Sequence, residues 1–146
     1  MFKITIAQID ESEKEEIIVR CHEIDDDVMA IVERLKQSHN VMLGSMNNEV
    51  FRLNPKDIFY IESVDNKTFI CLKENVYETK LKLYEIEQRL QNTGFFRCSK
   101  GMILNIAKIR SVSPALNGRF EAKLFNNETV IISRQYVPQL KKKLGM

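Results

Sequence analysis

The chain has 146 residues, 44% of them hydrophobic and 29% charged, which suits one domain with a real core, or one domain and a small appendage. Its apolar runs are far short of the roughly 20 residues that span a bilayer, and MFKITIAQIDES lacks the apolar stretch of a signal peptide, so a cytoplasmic protein not inserted in a membrane is expected. Cys21, Cys71 and Cys98 are an odd set without CxxC pairing, which argues against a disulfide framework and a structural zinc site. The net charge of +2 hides an asymmetry. Residues 1–40 hold 10 Asp and Glu against 5 Lys and Arg, and residues 41–146 hold 10 against 17, so the first part carries −5 and the second +7. Residues 97–146 set 10 basic side chains against Glu121 and Glu128 alone. Such a segment suits a polyanionic partner or, equally, a solvated basic face with none.

FKITIAQ alternates Phe2, Ile4 and Ile6 with Lys3 and Thr5, a period-two strand pattern, and EEIIVRC offers a second short strand after the polar turn IDESEK. In DDDVMAIVERLKQS the period changes. Val28, Ile31, Val32 and Leu35 fall at helical spacing, and Asp25, Asp26 and Asp27 stand where a cap and the helix dipole favour acids. Residues 1–40 are therefore expected to form a strand-strand-helix unit, too small to fold alone, whose apolar helix stripe packs on the rest of the chain or on another copy. From residue 41 the strand candidates are EVFRL, DIFYIES, KTFICL, VYETK, KIRSVS, RFEAKLF and TVIIS, punctuated by turns at Asn54-Pro55, Asp65-Asn66, Asn117-Gly118 and Asn126-Asn127. LKLYEIEQRLQNTG inserts a short helix with Leu83, Ile86 and Leu90 on one face and Gly94 to end it. The expected class is mainly β (α+β), antiparallel sheet with one inserted helix, whose turns carry binding side chains.

The stretch FFRCSKGMILN reads as a long turn in which Phe95, Phe96, Met102, Ile103 and Leu104 anchor the exposed donors Arg97, Ser99, Lys100 and Asn105, a composition that fits phosphate and base contact. The plainer reading is a surface loop whose two phenylalanines close the core. In VIISR, Val130, Ile131 and Ile132 anchor a last strand, Ser133 caps the terminal helix RQYVPQLKKKL, and Arg134 is held out at its first turn, where it can pair with a surface carboxylate. Lys141, Lys142 and Lys143 suit phosphate contact, and equally the dipole of a helix C-terminus. Cys98, between Arg97 and Lys100, sits where basic neighbours lower a thiol pKa, or is an ordinary half-buried cysteine. His22 beside Cys21 has no second such pair and His39 stands alone, so neither a metal nor another cofactor is expected. Glu62, Ser63 and Asp65 are local to one turn, so no catalytic set converges and no enzyme is expected.

DIFYIESVDNKTFI, YEIEQRL, FFRCSKGMILN, KIRSV and VIISRQYVPQLKKKL occur in an order and spacing by which residues 41–146 resemble the LytTR family of bacterial DNA-binding domains. The resemblance implies an elongated fold of small antiparallel sheets with an inserted and a C-terminal helix. It implies a non-enzymatic transcription regulator that lies along double-stranded DNA and places loops in successive major grooves. The family's DNA-contacting positions carry over to Asn66, Lys67, Thr68, Ser99, Lys100 and Arg134, and the basic neighbours Arg97 and Lys142 join them as candidates. Forty residues ahead of such a domain are too few for the doubly wound receiver fold that many members carry, so control by phosphorylation within this chain is not expected. A homodimer on repeated sites is expected, with residues 1–40 helping the copies meet or masking the basic domain, and analogy with short regulators adds a membrane-bound inhibitor protein as a partner. The alternative is a non-enzymatic interaction module that binds an acidic protein, or nucleic acid without sequence preference.

Overall fold

The computed structural model describes residues 2–38, 41–91 and 93–146, and the chain divides into two units, Met1–Ser38 and His39–Met146. Residues 39 and 40, where the sequence sets the boundary and where the lone His39 falls, lie outside the described residues. In the first unit, helix α1 (Asp26–Ser38) forms as its period predicts. The Asp25 carboxylate caps it, accepting the Val28 N–H at 2.9 Å. Val28 is buried, and Ile31, Val32 and Leu35 are half-buried.

The two strands expected before α1 do not form. Residues 2–9 and 15–21 are extended or irregular, and Ile4 and Ile6 are 87% and 93% exposed. Alternation specifies a strand only where a neighbour takes its backbone hydrogen bonds and something covers its apolar face, and an isolated hairpin is marginal in water. No described strand supplies that neighbour.

The second unit is mainly β, as expected, in two antiparallel sheets. The larger has seven strands: β1 (Met42–Met46), β2 (Glu49–Leu53), β3 (Tyr60–Val64), β4 (Lys67–Cys71), β5 (Val76–Thr79), β6 (Phe95–Ser99) and β7 (Met102–Asn105), in the order β2-β1-β5-β4-β3-β7-β6. The smaller has β8 (Ile109–Pro114), β9 (Phe120–Leu124) and β10 (Thr129–Ile132), with β9 central. Helix α2 (Leu83–Arg89) is inserted between β5 and β6, and α3 (Val137–Leu144) closes the chain.

Asparagine and aspartate supply the left-handed backbone that tight hairpins need. Asp65 and Asn66 have φ of 51° and 64° between Val64 and Lys67, the two-residue turn read from the sequence, and Asn47 and Asn48 do the same between β1 and β2. Three expectations are corrected. FFRCSKGMILN is not a long turn but the β6–β7 hairpin, its apolar residues held by strand pairing. Helix α2 ends at Arg89, not at Gly94, whose carbonyl instead accepts the Ile106 N–H at 2.8 Å. The Ser133 side chain caps no helix, because a 3₁₀ turn (Arg134–Tyr136) comes first and only the Ser133 carbonyl takes part, accepting the Tyr136 N–H at 2.9 Å.

Two apolar cores flank β7, whose successive side chains point opposite ways. Ile103 enters a core with Ile58, Ile61, Ile70 and Ile86, and Leu104 enters one with Phe96, Cys98, Ile132 and Leu140. Each fully buried Ile or Leu contributes about 1.5–3 kcal/mol relative to leaving it in water. Val130 and Ile132 alternate inward on β10 while Ile131 faces out, 42% exposed, so two of the three expected anchors reach the core.

Gly44 on β1 is required by close approach. A Cβ there would lie 2.7 Å from Tyr77 Cβ and 2.8 Å from Leu53 Cδ1. Gly44→Ala is expected to lower stability by about 1–3 kcal/mol through overpacking, read as a drop in the urea midpoint with unchanged slope.

Candidate nucleic-acid interface

Strand directions bring the predicted residues together. β3 climbs to the Asp65–Asn66 turn, and β7 pairs antiparallel to it with Glu62 opposite Met102, so the β6–β7 turn at Lys100–Gly101 lies at the same end of the sheet. The Ser63 N–H donates to the Gly101 carbonyl at 2.9 Å and ties the two turns together. The chain leaving β10 arrives beside them, where the Ser133 N–H donates to the Cys98 carbonyl at 2.9 Å and sets Arg134 next to the β6–β7 turn. Three segments distant in sequence thus meet at one end of a hydrogen-bonded scaffold.

Asn66, Lys67, Lys100 and Arg134 are exposed there, and Ser99 is half-buried. Among the described residues the only ion pair is Arg97–Glu87, so Arg134, Lys67 and Lys100 form none. Arg134 is also supported from below. Gly118, with φ of +75°, lies so close to the arginine stem that a Cβ on it would stand 2.8 Å from Arg134 Cδ and 3.0 Å from Cγ. The sequence marked Asn117-Gly118 only as a turn, and its contact with Arg134 had no sequence signal.

The other candidates are placed differently. Thr68 is buried, 3% exposed, on β4, so its side chain is part of the scaffold under Lys67. Arg97 lies half-buried on β6, its Nη1 3.4 Å from Glu87 Oε1 on α2 and its Nη2 donating to the Lys100 carbonyl at 3.2 Å, a brace for the turn that carries Lys100. Asn105, expected as an exposed donor, is 3% exposed and structural: its Nδ2 donates to the Ile58 carbonyl at 2.8 Å and its Oδ1 accepts the Ala107 N–H at 3.0 Å. In the basic tail, Lys141 lies over the Phe120 ring at 5.4 Å and Lys143 donates to the Thr93 carbonyl at 3.0 Å, while Lys142 is exposed on α3 beside a cavity shared with Arg97.

Cys98 departs from the electrostatic expectation. Desolvation by burial pushes its thiol up to about 12 and outweighs the lowering by Arg97, and burial does the same to Cys71, also about 12. The Tyr60 hydroxyl is raised as well, by burial first and then by donating to Glu128 Oε2 at 2.7 Å. Because the folded state holds these protons where the unfolded state releases them, stability is full below pH 9 and falls as pH rises toward 12. Alkylation at pH 8 is expected to modify the exposed Cys21 in the native protein and Cys71 and Cys98 only after denaturation, read by mass.

Residues 48–145 match the family model described as LytTr DNA-binding domain. The sensory transduction protein LytT of Enterococcus faecalis is 31% identical over 99 residues, 68% of this chain and 41% of its own length. The transcriptional regulatory protein BtsR of Escherichia coli is 26% identical over 148 residues, 99% of this chain and 60% of its own. The chain thus spans between two-fifths and three-fifths of these curated relatives. A solved LytTr DNA-binding domain from Bacillus cereus superposes with a TM-score of 0.68 at 26% identity, covering 73% of this chain and 97% of that one. With a match that covers most of its length, the chain belongs to the LytTr DNA-binding domain family.

Proposed function

We propose that the protein is a cytoplasmic bacterial transcription regulator that reads double-stranded DNA by sequence, with Asn66, Lys67, Lys100 and Arg134 entering major grooves from one end of the β scaffold. The observation that carries this reading is the meeting of those residues, without carboxylate partners, on turns fixed by Ser63–Gly101 and Ser133–Cys98 backbone hydrogen bonds. A donor held rigidly loses little entropy on binding, so its hydrogen bonds become discrimination between bases. Ser99 adds a phosphate contact, Thr68 and Arg97 hold the two turns in place, and Lys142 adds a sequence-independent contact to phosphate. The reading assigns no catalytic step to any residue.

One such domain touches a short site, too short to stand out in a genome, which supports two copies working on repeated sites. The exposed apolar residues of the first unit, Ile4, Ile6, Ile17 and Ile18, support a protein-binding role for it, with a second copy as the first partner and a membrane-bound inhibitor protein as the other. Selection of bound duplexes from a random pool tests the reading. Enrichment of a repeated motif is expected, whereas salt-sensitive binding with no enriched motif would favour the non-specific interaction module. Deleting residues 1–40 is expected to weaken cooperative binding to two repeats and leave one-repeat binding intact, measured by titration with a truncated protein shown to be folded. Tighter binding to both sites would assign the segment to masking instead.

A further inference from the structure

Beside the β3–β4 turn lies a cavity of about 650 Å³. Lys67, Lys80, Lys82 and Arg89 line it, with Glu78 as its one lining carboxylate. β4 and β5 pair with Thr68 opposite Thr79, so Lys67, just before Thr68, and Lys80, just after Thr79, sit at the same end of that pair. Like charges gathered round one cavity repel. Among the described residues none of the four cations belongs to an ion pair, and all four are exposed. The Glu85 carboxylate on α2 accepts the Lys82 backbone N–H at 3.1 Å. A concave site with four cations and one carboxylate that adjoins a base-reading turn has the chemistry of an anion cradle.

We propose that Lys80, Lys82 and Arg89 take backbone phosphates of the same duplex whose bases are read by the turn carrying Lys67, extending the footprint sideways from the sheet end onto the β5–α2 connection. The inference rests on the DNA-reading function proposed above, and it adds a binding site formed by residues outside the predicted set. Phosphate contacts carry no sequence information, so this cradle supplies affinity and register, and Arg134 and Lys100 supply preference.

The test uses the full chain with Lys80→Gln, Lys82→Gln and Arg89→Gln combined, titrated against the selected duplex and a scrambled duplex across a salt series. Each phosphate contact removed lowers the slope of log K against log salt by about 0.9, so a slope smaller by about 2–3 is expected, with an equal loss of tenfold or more on both duplexes. Lys73→Gln, at the opposite end of the sheet, is expected to leave slope and affinity unchanged. Circular dichroism melting of the triple variant checks its fold, and Lys82→Gln alone, with a slope smaller by about 0.9, repeats the test if the triple variant is unstable. An unchanged slope and affinity would overturn the cradle, as would a loss confined to the selected duplex, which would make these residues base readers. If the triple variant matches the parent while Arg134→Ala still loses its site, only the cradle fails. If the parent protein binds no duplex in a salt-dependent way, the DNA reading fails and the cradle with it.

Discussion

Arg134→Ala is expected to lose about 1–3 kcal/mol of affinity for the selected duplex, five- to 150-fold in Kd, and to relax preference at a single base position. The size follows from how the side chain is held. Its backbone leaves β10 at Ser133, pinned to the Cys98 carbonyl, and its stem lies against Gly118. A guanidinium fixed at both root and stem binds without first being ordered, so a bidentate contact is retained almost in full. Gly118→Ala tests the support itself, since a Cβ 2.8 Å from Arg134 Cδ must push the stem aside. It is expected to relax the same base position as Arg134→Ala. The double variant should bind no worse than Arg134→Ala, because both changes remove one contact. Two losses that add, or losses at different positions, would separate Gly118 from the arginine.

Leu104→Ala is expected to cost about 2–5 kcal/mol of folding stability and, at temperatures where the variant stays folded, to leave sequence preference unchanged. Leu104 is fully buried in the core that also holds Ile132 and Leu140, so truncation opens a cavity that the paired strands cannot collapse to fill. Asn105→Ala, one residue on, should cost less, about 1–3 kcal/mol, by stranding the Ile58 carbonyl and the Ala107 N–H. Denaturant titration gives both values, and a change in preferred duplex by either variant would move β7 from scaffold to reading surface.

Much of this architecture is legible in residue pattern. The Asp65-Asn66 pair between alternating strands dictates its hairpin, because only residues tolerant of positive φ make that turn, and Asp25 ahead of a helical stripe marks the start of α1. The β6–β7 hairpin is concealed by its polar residues. Arg97 and Asn105 look like exposed donors, yet Arg97 is occupied by Glu87 and the Lys100 carbonyl and Asn105 by two backbone groups, contacts that come from distant or folded-back chain. The N-terminal alternation erred the other way, since a period of two names a face but cannot supply the neighbouring strand. At Cys98 the visible signal was local charge and the deciding one was burial by residues far along the chain. That Asn66, Lys67, Lys100 and Arg134 meet at one sheet end was not legible, because strand order and the Ser133–Cys98 contact join segments far apart in sequence.

The most direct measurement is a map of backbone amide NMR shifts on adding the selected duplex to the full chain. The largest changes are expected at Asn66–Lys67, Ser99–Gly101 and Arg134, with little change around Asp57, Lys73 and Asn75, which line a cavity at the opposite end of the sheet. Changes concentrated at that opposite end, with the three segments unmoved, would contradict the placement of the DNA-reading surface.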